Sequence, residues 1–181
     1  IFMVDLKIVD DNGKRLPEDG KSIGNLYIRG NTIAGGYYNN EEASKAAIDD
    51  EGYFGTGDVA SIDEQGFLRL TDRAKDLIKS GGEWISSIDL ENRAMSHPDV
   101  ENCAVIAIPH EKWDERPLLV VVPVEGKKPS KEELIKHLEG HFAKWQMPDD
   151  VVYEDELPLT ATGKVSKLNL RQKYENYTLA S

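Results

Sequence analysis

Thr71-Asp72-Arg73-Ala74-Lys75-Asp76-Leu77-Ile78-Lys79-Ser80-Gly81-Gly82-Glu83-Trp84 is the stretch on which the reading of this chain turns. Arg73, Lys75 and Lys79 place three cations within seven residues, and the glycine pair Gly81-Gly82 follows. Glycines let the backbone turn its N–H groups toward a ligand, so the combination suits a phosphate-handling surface. A solvated charged strand followed by an ordinary loop would read the same way over so short a span. The stretch also separates two textures of sequence. A boundary is therefore expected between residues 71 and 72, with a hinge near 72–76 and no long linker.

Upstream, the pattern is β-rich. Val4, Leu6 and Ile8 alternate with polar neighbours, Asp11-Asn12-Gly13 is a turn set, and Leu26-Tyr27-Ile28 is a second short run. Residues 39–48, with Ala43, Ala46 and Ala47, predict a short helix. Val59–Ile62 and Phe67–Leu70 flank Asp63-Glu64-Gln65-Gly66, a hairpin signal. Downstream, helix and strand alternate. Ser86 with Asp89, and Ser130 with Glu133, have the spacing of capping boxes. The first of these helices is expected to end near His97-Pro98, and Leu134, Leu138 and Phe142 mark a buried stripe in the second. Cys103–Ile108, Leu118–Val122 and Val151–Tyr153 read as strands, and 165–174 as a final basic helix. The expected class is α+β: a β-rich subdomain over 1–71, then a small mixed α+β domain over 72–181.

Composition narrows the function classes. The 181 residues carry 22 Lys+Arg against 33 Asp+Glu, a formal net charge of −11. That balance argues against a nucleic-acid partner, which needs a basic face. At 39% hydrophobic the chain can build a core, yet no run is long enough for a transmembrane segment. The single cysteine, Cys103, excludes an internal disulfide framework and fits a reducing, cytoplasmic setting. The first residue is Ile1, which reads as a piece of a longer chain.

Two further segments could carry chemistry. In Gly55-Thr56-Gly57-Asp58, a carboxylate held by a glycine turn could grip a vicinal diol, as acidic residues grip a ribose; a plain turn cap is the bland reading. In Pro158-Leu159-Thr160-Ala161-Thr162-Gly163-Lys164-Val165, a lysine sits on a glycine-bearing loop. No Asp or Glu occurs from Leu157 to Tyr174, while Lys164, Lys167, Arg171 and Lys173 do. Such a lysine suits a transferring phosphoryl or acyl-phosphate group. It is not a Walker loop: Pro158 stands where that pattern needs Gly, and Val165 where it needs Ser or Thr. His137 and His141 lie one helical turn apart but lack the zincin pattern, so no metal site is expected. Cys103 reads as core, as does Trp145 with Phe142 and Met147, and His110 shows no triad partner.

Taken in order, Thr56-Gly57-Asp58, Asp72-Arg73-Ala74-Lys75-Asp76, Gly81-Gly82-Glu83 and Thr162-Gly163-Lys164 resemble the carboxy-terminal third of an acyl-adenylating (AMP-binding) enzyme. That superfamily includes acyl-CoA synthetases, peptide-synthetase adenylation domains and beetle luciferases. Residues 80–87, 109–117 and 143–148 are similar to bacterial medium- and long-chain fatty-acid CoA ligases. The resemblance implies that 1–71 is the distal β-rich subdomain of the large adenylation domain and 72–181 a mobile C-terminal domain. It implies a two-step reaction: a carboxylate and Mg-ATP give acyl-AMP, the small domain swings, and the CoA thiol displaces AMP. Carried over by position, Lys164 is the catalytic lysine of adenylation, and Asp58, Arg73, Lys75, Lys79 and Trp84 are nucleotide-binding. Asp72 and Lys75 are hinge residues, and Gly81, Gly82 and Glu83 line the CoA tunnel. ATP/AMP, CoA and Mg2+ are the implied cofactors, with the metal ligands outside this chain. A homodimer of the full-length protein is also implied, through the part not present here.

The amino-terminal phosphate loop and the Tyr-Gly-x-Thr-Glu segment of the family do not occur in this chain, so the chain alone is expected to be inactive. A CoA ligase for a small, sulfur-containing or aromatic acid would share every segment quoted above. A peptide-synthetase adenylation end and a non-catalytic module that kept only the fold are the other readings.

Overall fold

The structure, a computed structural model, describes residues 3–179. Its contacts divide the chain into two units, 1–75 and 76–181. In the first unit, strands β1 (Val4–Val9) and β2 (Gly24–Gly30), helix α1 (Glu41–Ala47), and strands β3 (Phe54–Ile62) and β4 (Leu68–Arg73) follow in order. The strands form one antiparallel sheet in that order. Ile8, Leu26, Ala60 and Ile62 make its core. Lys7 is buried as well, and its charge is met by Asp49 at 2.7 Å, Glu51 at 3.3 Å and the face of Tyr53 at 4.4 Å. This unburdens an otherwise costly buried ammonium. Helix α1 is shorter than the span 39–48 expected for it: Asn40 caps its start by accepting from the Ala43 N–H, and Ile48 is already extended.

Strand β3 begins five residues before the predicted Val59, and that extension holds Asp58. Register breaks on both of its edges, between Asn25 and Tyr27 on β2 and beside Val59 on β4. Gly57, at φ +73°, takes up the bulge on the β3 side, a conformation costly for any residue with a Cβ. Strand β4 stays paired as far as Asp58↔Arg73. The division after Lys75 therefore falls four residues beyond the boundary expected at 71/72: a strand held by its ladder does not change unit in mid-course.

The second unit runs β5 (Ile78–Ser80), β6 (Glu83–Ile85), α2 (Ser87–Met95), β7 (Val100–His110), β8 (Asp114–Pro123), α3 (Lys131–Leu138), a 3-10 turn (Lys144–Gln146), β9 (Asp150–Tyr153) and α4 (Lys167–Lys173). Strand β8 pairs with β7 along one edge. Its other edge is shared: β5 touches it at Ser80↔Asp114, and β9 joins in parallel from Leu118↔Asp150 to Val121↔Tyr153. The apolar runs predicted as strands are continuous because both faces of the sheet are covered. Cys103, Val105, Leu119 and Val121 face Leu90 and Ala94 of α2 and Leu134 and Leu138 of α3. Ala104, Ile106, Ile108, Leu118 and Val120 face Leu170 of α4.

Both predicted serine caps hold, at Ser86 and at Ser130, the latter as a complete capping box with Glu133. Helix α3 stops at Leu138, where Gly140 at φ +79° turns the chain, so Phe142 lies beyond the helix although it still packs against the same core. Trp145 is no part of that core; the 3-10 turn leaves it 43% exposed. Cys103 is buried, and burial, then the Glu91 carboxylate, push its thiol up to about 12, consistent with an inert core position. Among the described residues no helix is long and apolar enough to cross a membrane, and no group of three His, Cys, Asp or Glu could hold a metal. His137 bonds Ser96 Oγ through Nε2 at 2.9 Å and meets His97 edge-on.

Candidate functional site

The sequence-predicted residues form three clusters, one in the first unit and two in the second. In the first unit the bulge at Gly57 sets the local chemistry. The Thr56 hydroxyl donates to the Leu26 carbonyl at 3.1 Å and accepts from the Asp58 N–H at 3.0 Å. The Gly57 carbonyl accepts from Ala74 N–H at 2.9 Å. Asp58 thus stands in a bulged strand and not on the free turn expected from its glycines. Arg73, directly opposite on β4, approaches Asp58 Oδ1 through Nε at 3.2 Å, with the two side chains 56% and 31% exposed. A pair that open to water contributes only about 0–1 kcal/mol, so a polyhydroxylated ligand could exchange with it at small cost. Asp72, a predicted hinge residue, is buried at 3% exposure in β4, whereas Lys75 is exposed.

The second cluster is the hairpin of β5 and β6. Three-residue strands are too short to show a periodicity, and of the span 80–83, which reads as a loop, only Gly81 and Gly82 lie outside the ladder. Gly81 and Gly82 are its two turn residues, at φ +60° and +89°, which is what a two-residue turn with both φ positive requires. Turn geometry thus accounts for the glycine pair, and the Gly81 N–H is donated to the Trp113 carbonyl at 2.9 Å instead of facing a ligand. Lys79 and Trp84 are cross-strand partners, with the ammonium 5.3 Å from the indole centre. Glu83 is exposed beside the turn.

Next to this hairpin lies a pocket of about 290 Å³ lined by Ser80, Gly81, Glu83, Trp113, Arg116, Trp145 and Asp149. Trp113, Arg116, Trp145 and Asp149 were not singled out from the sequence as site residues. Nothing local marks them: Arg116 finds its partners 29 to 36 positions away.

The third cluster is the loop with Lys164. It is a tight hairpin closed by the bridge Leu159↔Val165. Thr160 N–H donates to the Lys164 carbonyl at 2.6 Å, Gly163 N–H to the Thr160 carbonyl at 2.9 Å, and Ser166 N–H to the Pro158 carbonyl at 2.7 Å. Gly163 at φ +79° makes the turn. The acid-free span holds four cations, and acids from elsewhere neutralise three of them. Lys167 pairs with Glu91 at 2.7 Å, Arg171 with Asp76 at 2.7 Å, and Lys173 with Glu154 at 2.5 Å. Lys164 is exposed and has no ion-pair partner among the described residues. The fold therefore singles out one charge from a basic segment.

Residues 89–164 match the family model described as AMP-binding enzyme C-terminal domain. The chain is 54% identical to a long-chain-fatty-acid–CoA ligase of Thermus thermophilus, over 98% of this chain and 33% of that protein. It is 51% identical to a 3-methylmercaptopropionyl-CoA ligase of Ruegeria lacuscaerulensis, over 97% and 32%. Among solved structures, ATP-bound MatB from Rhodopseudomonas palustris matches with a TM-score of 0.86 at 33% identity, over 96% of this chain and 34% of that one. The chain spans about a third of the length of the curated relatives it matches.

Proposed function

We propose, from the match of residues 89–164 to the AMP-binding enzyme C-terminal domain, that the chain forms the C-terminal part of an ATP-dependent acyl-CoA ligase that activates a fatty acid as acyl-AMP and transfers it to CoA. The observation that carries the proposal is Lys164, which has no ion-pair partner among the described residues, while Lys167, Arg171 and Lys173 of the same acid-free span are each paired with an acid. During adenylation, negative charge builds on the oxygens of the α-phosphate as the carboxylate attacks. A preformed cation placed there stabilises that charge without reorganising at the moment of reaction. Lys164 supplies it. Asp58 accepts hydrogen bonds from the ribose hydroxyls, and Arg73, released from Asp58, assists at the same sugar. Lys79 and Trp84 present a cation and an aromatic face to the nucleotide.

Thioester formation brings a thiol, not a phosphate, to the reacting carbon, and so needs a different surface. In this reading the Gly81-Gly82 hairpin with Glu83 is that surface. Lys75, with Asp72 anchoring the strand before it, is the pivot that exchanges the two. Mg2+, held by residues of the full-length protein outside this chain, belongs to the same proposal. So do a cytoplasmic location and a homodimer of the full-length protein. The matched ligase for a sulfur-containing propionate supports a second reading, a small-acid CoA ligase with the same two surfaces.

Carboxylate-dependent ATP–pyrophosphate exchange on the full-length protein, with acids from propionate to palmitate and 3-methylmercaptopropionate, tests both readings. Exchange that peaks at medium or long chains and collapses in Lys164→Ala supports the fatty-acid reading. A peak at the short or sulfur-containing acids selects the second. No exchange with any acid overturns both. The 181-residue chain alone is expected to form no acyl-CoA from ATP, CoA and octanoate.

A further inference from the structure

Arg116 stands on β8 at the seam where that strand's edge passes from β5 to β9. The β5 contact lies at Asp114, two residues before it, and the β9 ladder begins at Leu118, two residues after. A seam of this kind leaves a gap in the backbone ladder, and the guanidinium fills it. Its Nε donates to Asp149 Oδ2 at 2.8 Å, and Nη2 to Asp149 Oδ1 at 2.6 Å and to the Met147 carbonyl at 3.0 Å. Its Nη1 donates to Ser80 Oγ at 2.9 Å and to the Trp145 carbonyl at 2.5 Å. All five N–H donors of the side chain are used. The residue is only 7% exposed.

The neighbours of Arg116 grip the same hairpin. Lys79 N–H donates to Glu115 Oε2 at 2.9 Å, and Gly81 N–H to the Trp113 carbonyl at 2.9 Å. Three consecutive residues, 79, 80 and 81, are thereby tied to 115, 116 and 113. Trp113 also lies against Gly81 so closely that a Cβ there would come within 2.8 Å of its ring. On the far side, the carbonyls of Trp145 and Met147 hold the 3-10 turn. The hairpin and the turn both line the 290 Å³ pocket, and Arg116 is bonded to both.

We propose that Arg116, oriented by Asp149, is a positioning residue for thioester formation: it sets the distance between the Gly81-Gly82 hairpin and Trp145. A buried ion pair is weak evidence for stability, since a well-packed apolar residue often replaces one without loss. A methionine could fill the space, but it could not fix a hydroxyl and two carbonyls at once. A lysine keeps the charge but offers three donors in place of a planar fork of five. The proposal rests on the reading that the hairpin serves the CoA half of the reaction.

The test compares the two half-reactions in the full-length protein for wild type, Arg116→Met, Arg116→Lys, Asp149→Asn and Ser80→Ala. A displacement of about 1 Å at a positioned group costs up to about a hundredfold, so Arg116→Met is expected to slow thioester formation from preformed acyl-AMP at least about tenfold and to raise KM for CoA. Pyrophosphate exchange should fall less than the thioester step, because its catalytic cation, Lys164, stands on the other hairpin and only Lys79 and Trp84 of this one face the nucleotide. Arg116→Lys should not rescue, and Arg116→Met with Asp149→Asn should be no worse than the more damaging single change, since the two act as one unit. Ser80→Ala removes one acceptor without leaving an unpaired buried charge on an acid, and should give the same selective loss at about threefold. Equal losses in both half-reactions, or rescue by Arg116→Lys, overturn the proposal. If Arg116→Met does not fold, Ser80→Ala decides alone, and an unchanged thioester rate in it overturns the clamp. Wild-type protein that exchanges pyrophosphate but forms no acyl-CoA overturns the underlying reading and the clamp with it. An active wild type beside unaffected variants overturns the clamp only.

Discussion

Two hairpins of the second unit, at 78–85 and at 158–166, are built in opposite ways. The first is fastened from outside: residues 79, 80 and 81 each bond to the 113–116 segment, and its turn glycine is covered by Trp113. The second is fastened from inside, by hydrogen bonds among Pro158, Thr160, Gly163, Lys164 and Ser166. One presents a pocket wall held by the body of the domain. The other presents a charge at the tip of a self-contained turn, with the helix after it anchored by Lys167 and Arg171. A surface that must fit a ligand's shape gains from external fastening. A surface that must deliver one cation needs only a short, stiff arm and no competing acid nearby.

Replacing the cation is the strongest way to break this contrast. Lys164→Ala is expected to slow adenylation by about 10²–10³, or about 2.7–4 kcal/mol in barrier, as for losing one preorganised donor. Thioester formation from preformed acyl-AMP should stay within about twofold, because the other hairpin serves it. Rapid-quench assays of the two half-reactions read this directly, and equal losses would remove the division of labour. Loosening the arm's anchor comes next. The Lys167 Nζ lies 2.7 Å from Glu91 Oε1 and 2.6 Å from Ser87 Oγ, with the ion-pair side chains 13% and 18% exposed. Lys167→Met removes the opposite charge beside the Glu91 carboxylate, which keeps the Val105 N–H at 2.7 Å, and is expected to cost about 2–3 kcal/mol in urea unfolding of the protein. A cost under about 0.5 kcal/mol would mean that Leu170 packing and the Arg171–Asp76 pair hold α4 without Lys167.

The turn glycines sharpen the contrast on the fastened side. At Gly81 a Cβ meets the Trp113 ring at 2.8 Å, whereas at Gly82 it meets nothing within 4 Å, though both have positive φ. Left-handed backbone alone costs a non-glycine residue about 1–2 kcal/mol. Gly82→Ala should show that strain and leave Trp113 in place, while Gly81→Ala should add a displaced Trp113 and a thioester step about tenfold slower than in Gly82→Ala. Tryptophan emission in the two variants, beside the half-reaction rates, separates them. Indistinguishable variants would mean that Trp113 yields freely.

The sequence made some of this legible and concealed the rest for physical reasons. Local signals held: the serine caps, the turn at Asp11-Asn12-Gly13, and the apolar strands whose two faces both meet core. The acid-free span around Lys164 was also visible, because a missing acid is a local property. That Lys167, Arg171 and Lys173 are each neutralised from afar was not, since Arg171 and Asp76 are 95 positions apart. Arg116 was hidden for the same reason: in sequence it is one charge between Glu115 and Pro117, and only the seam of β8 gives it a task. Trp145 was misread as core because an aromatic between Phe142 and Met147 suggests a continuing apolar face, which the 3-10 turn interrupts.

The smallest effect serves as the control for the others. Helix α3 begins at a capping box in which Ser130 Oγ accepts from the Glu133 N–H at 3.2 Å and Glu133 Oε2 accepts from the Ser130 N–H at 2.8 Å. The backbone N–H of Ser130, then its hydroxyl, hold the Glu133 carboxyl below its usual range. Ser130→Ala removes one of the two bonds and should cost about 1 kcal/mol, seen as a lower urea midpoint at unchanged slope. Neither Ser130 nor Glu133 lines the pocket or belongs to either hairpin. Both half-reactions should therefore keep their wild-type rates at temperatures well below unfolding. If this mild destabilisation slowed one half-reaction selectively, selective losses elsewhere in the domain would no longer identify which hairpin does what, and the contrast between the fastened wall and the free charge would have to be drawn from binding measurements instead.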